Sequence, residues 1–179
     1  MERSLEPRSG ENALGTTPLD DVSGLIPKFI TTRRELFDAE FVNINKAAQK
    51  YLIPVPSKKI APFSVQWLYR LHTEMFGEVW DWAGQKRRTD KSIGVDKSNI
   101  DVELRKLIDD YALWTGNKME PVEVAVRLHH RLVQIHPFEN GNGRWARMVA
   151  NIYLRQNNQG MIQWPEEELY IRTLCQSTS

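Results

Sequence analysis

A short polar interruption between two apolar stretches constrains this chain more than any other feature. Residues 133–154 read VQIHPFENGNGRWARMVANIYL, in which a histidine and a proline precede two glycines that alternate with two asparagines. Proline cannot continue a helix, and glycine adopts positive φ angles at little cost. The pattern predicts that one helix ends near His136, that a tight turn follows, and that a second helix begins near Gly143 or Arg144.

The predicted turn has the properties of an anion site. The first backbone N–H groups of a helix lack intrahelical acceptors and lie at the positive end of its dipole. Arg144 and Arg147 are three residues apart, so they share a face and can hold phosphate oxygens. The turn residues expected to surround a polyphosphate are Asn140, Gly141, Asn142 and Gly143. His136 would lie at the edge, ready to accept a proton. The alternative is a plain helix connection with solvent-exposed arginines.

Two other kinds of site do not fit this stretch. No Gly-Lys-Ser/Thr follows the glycines, so the spacing is not that of a P-loop. His129, His130 and His136 lack zinc-site spacing and have no cysteine or acidic partners nearby. We therefore expect His129 and His130 to be packing or hydrogen-bonding residues.

Composition favours one soluble domain. The chain has 179 residues, 41% of them apolar, and a net charge of +1, which argues against a strong nucleic-acid binder. Its single cysteine, Cys175, cannot form an internal disulfide. It shows no secretory signal and no run of membrane-spanning length. We expect a cytoplasmic protein with a flexible arm over residues 1–17 and a single domain over residues 18–179, without membrane or direct nucleic-acid partners.

Helical periodicity and capping residues predict a mainly α fold. The predicted helices cover residues 30–52, 65–77, 101–116, 121–136, 144–158 and 163–176. Residues 79–100 lack a helical period and carry Gly, Asp and Lys, which indicates a loop or short hairpin. A small irregular or β element is expected at residues 84–96.

Residues 136–147, HPFENGNGRWAR, resemble the Fic signature His-Pro-Phe-x-(Asp/Glu)-Gly-Asn-Gly-Arg-x-x-Arg, and looser similarity covers residues 30–172. The resemblance implies an all-α core with a β-hairpin flap, and transfer of AMP from ATP to a Ser, Thr or Tyr hydroxyl of a target protein. It implies that His136 is the general base and that Phe138 anchors the loop in the core. It also implies that the glycine turn cradles the phosphates, with Arg144 and Arg147 on the β- and γ-phosphates.

The chain departs from this signature at Asn140. The family usually has Asp or Glu there, which holds a Mg²⁺ (or Mn²⁺) ion that bridges the phosphates. Asn140 offers only a neutral oxygen, a weaker ligand for a hard cation. Three interpretations stay open: a metal held mainly by the nucleotide, a slow enzyme, or transfer of another group. Asn140 and the opening TPLD…GLIP…ITTRREL also resemble a small bacterial subgroup known as mobile mystery protein B.

Residues 84–95 lie where Fic proteins carry the flap. An extended target segment can add to such an edge by main-chain hydrogen bonds, which would hold its hydroxyl near His136. The residues expected to dock the target are Lys86, Arg87, Arg88, Lys91 and Ile93. The alternative is a solvated surface loop.

A built-in brake is a further expectation from the resemblance. Many Fic proteins carry (Ser/Thr)-x-x-x-Glu-(Gly/Asn), whose glutamate pairs with the second motif arginine. Thr31 and Glu35 have that spacing, although Leu36 replaces Gly or Asn, and Glu35 would pair with Arg147. The alternative is an ordinary capping box. Without a brake, an antitoxin-like or helix-turn-helix partner would regulate the chain, which could also be a non-catalytic nucleotide-binding module. The short C-terminus leaves room for homodimerisation.

Overall fold

The computed structural model describes residues 22–164, and within them the fold is mainly helical, as predicted. The helices are α1 (Arg33–Tyr51), α2 (Val65–Phe76), α3 (Ile100–Gly116), α4 (Pro121–Ile135) and α5 (Asn142–Gln156), with a 3₁₀ turn at Lys97–Asn99. None of these helices combines the length and the apolar character needed to cross a bilayer. The predicted arm at residues 1–17, most of the predicted helix at residues 163–176 and Cys175 lie outside the described residues.

Local signals explain where the helices begin. The Thr32 hydroxyl accepts the Glu35 N–H and the Glu35 carboxylate accepts the Thr32 N–H, which completes a capping box at the start of α1. The Ser64 hydroxyl caps α2 by accepting the Trp67 N–H. Pro121 opens α4. Predicted and observed starts therefore differ by at most three residues.

The core is built around α5. This helix packs most extensively on α4, while α1 packs on α2 and α3 on α4. Side chains all round α5 are buried, among them Ala146, Val149, Ala150, Ile152 and Leu154. A helix that is apolar on most of its surface lies inside a domain. The N-terminus of α5 is therefore held in a fixed position relative to the rest of the fold.

Residues 84–96, called the flap from here on, are irregular, which is one of the two alternatives expected, and the β-hairpin is not shown. These residues form turns and bends, and no strand is assigned among residues 84–96. The reason lies in the backbone donors. Arg87 donates its N–H to Pro137 O and Val95 donates to Ile135 O, so these groups are not available for a cross-strand ladder.

Candidate active site

Residues 136–141 join α4 to α5 through a backbone that is left-handed at both ends. His136 has φ 52° and ψ 59°, and Gly141 has φ 77° and ψ 0°. A Cβ atom on Gly141 would lie 2.7 Å from the Phe76 ring, so only glycine fits there. The tight turn that the sequence predicts is confirmed.

Asn142 closes this loop from within. Its Oδ1 accepts the Phe138 N–H and its Nδ2 donates to Phe138 O, both at 2.9 Å, and the residue is only 1% exposed. The side-chain amide of Asn142 is committed to the loop backbone, and the phosphate cradle expected from Asn142 stays a prediction. Asn142 can offer a ligand its backbone N–H alone.

The N-terminus of α5 has the geometry that an anion requires. The first intrahelical bond is from Trp145 N–H to Gly141 O at 2.9 Å, so the N–H groups of Asn142, Gly143 and Arg144 precede the helical ladder. Gly141 has no side chain with which to cap them. A Cβ atom on Gly143 would meet nothing within 4 Å, so the space above that residue is open to a ligand. Phosphate binding at this end of α5 stays a prediction.

The two motif arginines have different neighbours. Arg144 Nη1 lies 2.6 Å from Glu40 Oε2, and its guanidinium sits 4.8 Å from the centre of the Phe76 ring. Burial lowers the pKa of His129 on α4, and the charge of Arg147 lowers it further. A joint hold of Arg144 and Arg147 on phosphate stays a prediction.

Glu40 is the carboxylate that pairs with Arg144, whereas Glu35 is bonded to Thr31 and Thr32. Glu35 Oε2 accepts hydrogen bonds from Thr31 N at 2.8 Å, Thr31 Oγ1 at 3.1 Å and Thr32 N at 3.0 Å, and these bonds lower the pKa of Glu35. The capping-box alternative is confirmed. An inhibitory role for Thr31 and Glu35 stays a prediction, without support from a contact to Arg147.

Sequence reasoning missed Glu40, although a signal was present. Glu40 lies on the same helical stripe of α1 as Asn43 and Ala47, both buried. A charged residue on a buried stripe needs a partner. Its Oε1 accepts the Trp80 Nε1–H at 2.7 Å and its Oε2 pairs with Arg144.

His136 has the environment of a base at neutral pH. The residue is half-buried, and its Nδ1 is buried. Burial lowers the pKa of His136, a contact with the Val133 carbonyl opposes this, and the charges of Arg87 and Lys91 lower it further. The imidazole is therefore neutral near pH 7 and can accept a proton.

A second histidine, His72, fixes the loop, and the sequence reasoning did not single it out. Its Nδ1 accepts the Gly84 N–H at 2.9 Å and its Nε2 lies 3.0 Å from Asn140 O. The ring stacks on Phe138 with centroids 3.7 Å apart, and Phe138 is buried as expected. The only sequence signal was a histidine on the apolar face of α2, between Leu71 and Met75.

The flap presents fewer cations to a target than predicted. Arg87 is 2% exposed, so its assignment as a docking residue is corrected: the side chain is buried under the loop. Lys86 pairs with Asp101 and Lys91 with Glu139. The docking candidates that are exposed and form no ion pair within residues 22–164 are Arg88 and Ile93.

The motif residues do not fit a dedicated Mg²⁺ site. Glu139 points to the flap, where it pairs with Lys91 and accepts the Arg88 N–H at 3.3 Å. Asn140 Oδ1 accepts the Gly141 N–H at 2.6 Å and carries no charge. No group of three or more His, Cys, Asp or Glu side chains in residues 22–164 could hold a metal ion. Hard cations prefer carboxylates, so residues 136–147 offer Mg²⁺ the weak Asn140 oxygen while the Glu139 carboxylate is paired in the flap.

The site is a histidine loop that leads into the N-terminus of a buried helix, within a mainly helical fold. The profile of the Fic/DOC family matches residues 62–154, more than half of the chain. The chain therefore belongs to the Fic/DOC family. The resemblance to the mobile mystery protein B subgroup stays a prediction.

Curated relatives of the chain are also named as Fic proteins. A protein adenylyltransferase Fic of Culex quinquefasciatus is 31% identical over 113 residues, which cover 60% of this chain and 23% of the relative. One of Aedes aegypti is 29% identical over 113 residues, with the same coverage. Protein adenylyltransferase fic-1 of Caenorhabditis elegans is 25% identical over 137 residues, 72% of this chain and 26% of the relative. The chain thus spans about a quarter of the length of these relatives.

Solved structures share the fold. A fragment of Fic-1 from Caenorhabditis elegans superposes with a TM-score of 0.60 at 23% identity, covering 87% of this chain and 47% of that one. BepC from Bartonella tribocorum, solved with AMPPNP bound, has a TM-score of 0.54 at 19% identity, covering 75% and 78%. At these identities the likeness establishes the fold.

Proposed function

We propose that this chain is a nucleotidyltransferase that moves AMP from ATP onto a hydroxyl side chain of a target protein. The observation that carries the proposal is the position of His136, neutral and half-buried, on the loop that leads into the open N-terminus of α5. Relatives named protein adenylyltransferase, and a structural neighbour with bound AMPPNP, favour ATP as the nucleotide.

The chemistry follows from these groups. His136 takes the proton from the target hydroxyl, and the hydroxyl oxygen forms a bond to the α-phosphorus of ATP. The bond from that phosphorus to the bridging oxygen breaks, pyrophosphate leaves, and His136 returns its proton to solvent. The backbone N–H groups at the start of α5, with Arg144 and Arg147, stabilise charge on the phosphates.

The target would approach over the flap. A cleft of about 410 Å³ lies between the start of the flap and the motif, and its lining residues are Asp81, Trp82, Gln85, Lys86, Arg88 and Glu139. Both charge signs and one aromatic ring line this cleft, which suits a polar peptide segment. Together with exposed Ile93 this surface is the proposed docking site for a protein.

Asn140 favours one alternative, transfer of a different nucleotide or phosphate-containing group. Intact-mass spectrometry of the full chain, incubated with each nucleoside triphosphate and Mg²⁺ or Mn²⁺, separates the candidates. One added adenylate on the chain or on a co-incubated target supports the proposal. A different added mass favours the alternative. Binding of ATP, measured by calorimetry, without any adduct across candidate hydroxyl proteins would favour a non-catalytic nucleotide-binding module.

Asn140→Asp is expected to raise the transfer rate at low Mg²⁺ by about tenfold, because a carboxylate binds a hard cation better than an amide oxygen. Aspartate keeps the oxygen that accepts the Gly141 N–H, so the turn is preserved. The measurement is transfer rate against Mg²⁺ concentration, with Asn157→Asp, at the exposed C-terminal end of α5, as the control. An unchanged Mg²⁺ dependence would contradict the prediction.

Glu40→Gln is expected to tighten the binding of AMPPNP. Glu40 places a negative charge 2.6 Å from Arg144, which is proposed to hold phosphate. Glutamine keeps the acceptor for Trp80 and removes the charge, a change worth on the order of 1 kcal/mol, or about fivefold in Kd. Isothermal titration calorimetry measures it, beside Glu35→Gln. Equal tightening in Glu35→Gln would support the predicted brake at Glu35. Weaker binding in Glu40→Gln would show that Glu40 orients Arg144 for the nucleotide.

A further inference from the structure

The flap contacts three consecutive carbonyl groups at the end of α4. Ile135 O accepts the Val95 N–H at 3.4 Å, His136 O accepts Arg87 Nε–H at 2.7 Å, and Pro137 O accepts the Arg87 N–H at 2.9 Å. The last carbonyls of a helix have no intrahelical donor and need other partners. Here the partners come from the flap, with Arg87 supplying two of the three donors.

The Arg87 guanidinium donates to three backbone carbonyl groups and is called the clamp from here on. Besides its bond to His136 O, Nη1 donates to Thr89 O at 2.7 Å and Nη2 donates to Val95 O. The side chain has no exposed surface, and its nearest carboxylate oxygen, Asp90 Oδ1, lies 3.5 Å away. Burial of a cation costs free energy unless its donors are satisfied. Five rigid donors in a planar fork suit a site where several carbonyls converge.

His136, whose carbonyl accepts a hydrogen bond from the clamp, has an unfavourable backbone conformation. His136 is left-handed, a conformation that non-glycine residues adopt rarely and only where the surroundings impose it. The flap also lies directly against it: a Cβ atom on Gly94 would be 2.7 Å from His136 Cβ and 3.1 Å from Arg87 Nη2. Without Arg87 the His136 carbonyl loses its donor, and the backbone can relax out of the left-handed region.

We propose that Arg87 is a positioning residue for His136, holding its backbone left-handed so that the imidazole faces the approaching hydroxyl. The consequence for transfer rests on the proposed function, whereas the effect on the His136 backbone does not. The flap thereby acts on the base through the main chain, in addition to any contact with a target.

The test compares Arg87→Met, which removes charge and donors, with Arg87→Lys, which keeps the charge but lacks the fork. Arg127→Met, at an exposed arginine of α4, is the control. Nuclear magnetic resonance of the full chain without nucleotide reports the His136 φ angle, from its HN–Hα coupling and Cα and Cβ shifts. We expect His136 to leave the left-handed region in both Arg87 variants and to keep it in the control.

Steady-state kinetics then separates the effect of Arg87 on the position of His136 from the effect of its charge. Misplacement of a base lowers kcat by about tenfold to a hundredfold while the KM for ATP changes by less than about twofold. We expect this split in Arg87→Met and in Arg87→Lys, measured at equal folded fraction. Full kcat in Arg87→Lys, or a His136 φ angle that stays positive in both variants, would overturn the proposal. If Arg87→Met does not fold, Arg87→Lys alone decides. If the unmodified chain transfers nothing, the proposed function fails while the φ measurement still decides on Arg87.

Discussion

Replacing His136 with alanine is expected to slow AMP transfer by a factor of about 10² to 10⁴, while ATP affinity changes by less than about twofold. The imidazole takes the hydroxyl proton, whereas the groups proposed to hold phosphate lie on α5 and stay in place. His130→Ala is the matched control, because His130 is exposed on α4, six residues before His136. The rate of adduct formation by intact mass and the Kd by calorimetry measure the two effects.

The same prediction has a pH signature. The pKa of His136 is lowered, first by burial and then by the charges of Arg87 and Lys91. The base form is needed, so kcat/KM should rise with pH below that pKa and reach a plateau that begins below the ordinary histidine value of about 6.5. A rate that keeps rising well above pH 7, or a His136→Ala variant that retains full activity, would contradict the role of His136 as the base.

Local features of the fold could be predicted because their causes are local. Thr32, Ser64 and Pro121 act on residues within one turn, so the helix starts follow from neighbouring letters. The loop between α4 and α5 depends on Pro137 and Gly141, whose backbone preferences hold in any context. The position of His136 at the turn can therefore be predicted from these neighbours alone.

Long-range partners could not be predicted in the same way. Arg87 and His136 are 49 residues apart, His72 and Asn140 are 68 apart, and Glu40 and Arg144 are 104 apart. A basic sequence in the flap indicates side chains that face solvent or a ligand. The Arg87 side chain instead donates to the carbonyls of His136, Thr89 and Val95. The missing hairpin has the same cause, because the carbonyls of Pro137 and Ile135 accept the N–H groups of Arg87 and Val95.

The free energy of unfolding should decrease at acid pH because His72 is buried in its neutral form. Gly84 N–H is a donor, so His72 Nδ1 must accept, and Asn140 O is an acceptor, so Nε2 must carry the proton. A second proton on Nδ1 would break the bond to Gly84. Burial, together with the nearby charge of Arg144, therefore lowers the pKa of His72 to about 3, although the Asn140 carbonyl opposes the shift.

The direction of this pH dependence follows from the difference in protons bound by the folded and unfolded chains. The unfolded chain binds a proton on His72 near pH 6.5, whereas the folded chain does not until about pH 3. Between these values the unfolded state holds more protons, so the free energy of unfolding decreases as pH falls. From pH 7 to pH 5 the contribution lost is about 2 kcal/mol.

His72→Gln isolates this contribution. Glutamine can donate to Asn140 O from a similar position but does not titrate. The unmodified chain should be more stable than His72→Gln at pH 7, and its advantage should shrink by about 2 kcal/mol at pH 5. Urea unfolding at both pH values measures the difference, with His130→Gln, at an exposed position, expected to follow the unmodified chain. An advantage that is equal at pH 7 and pH 5 would contradict a neutral, buried His72. A smaller advantage at pH 5 would mean that acid weakens the tie between the flap and the loop of His136, because His72 bonds to both.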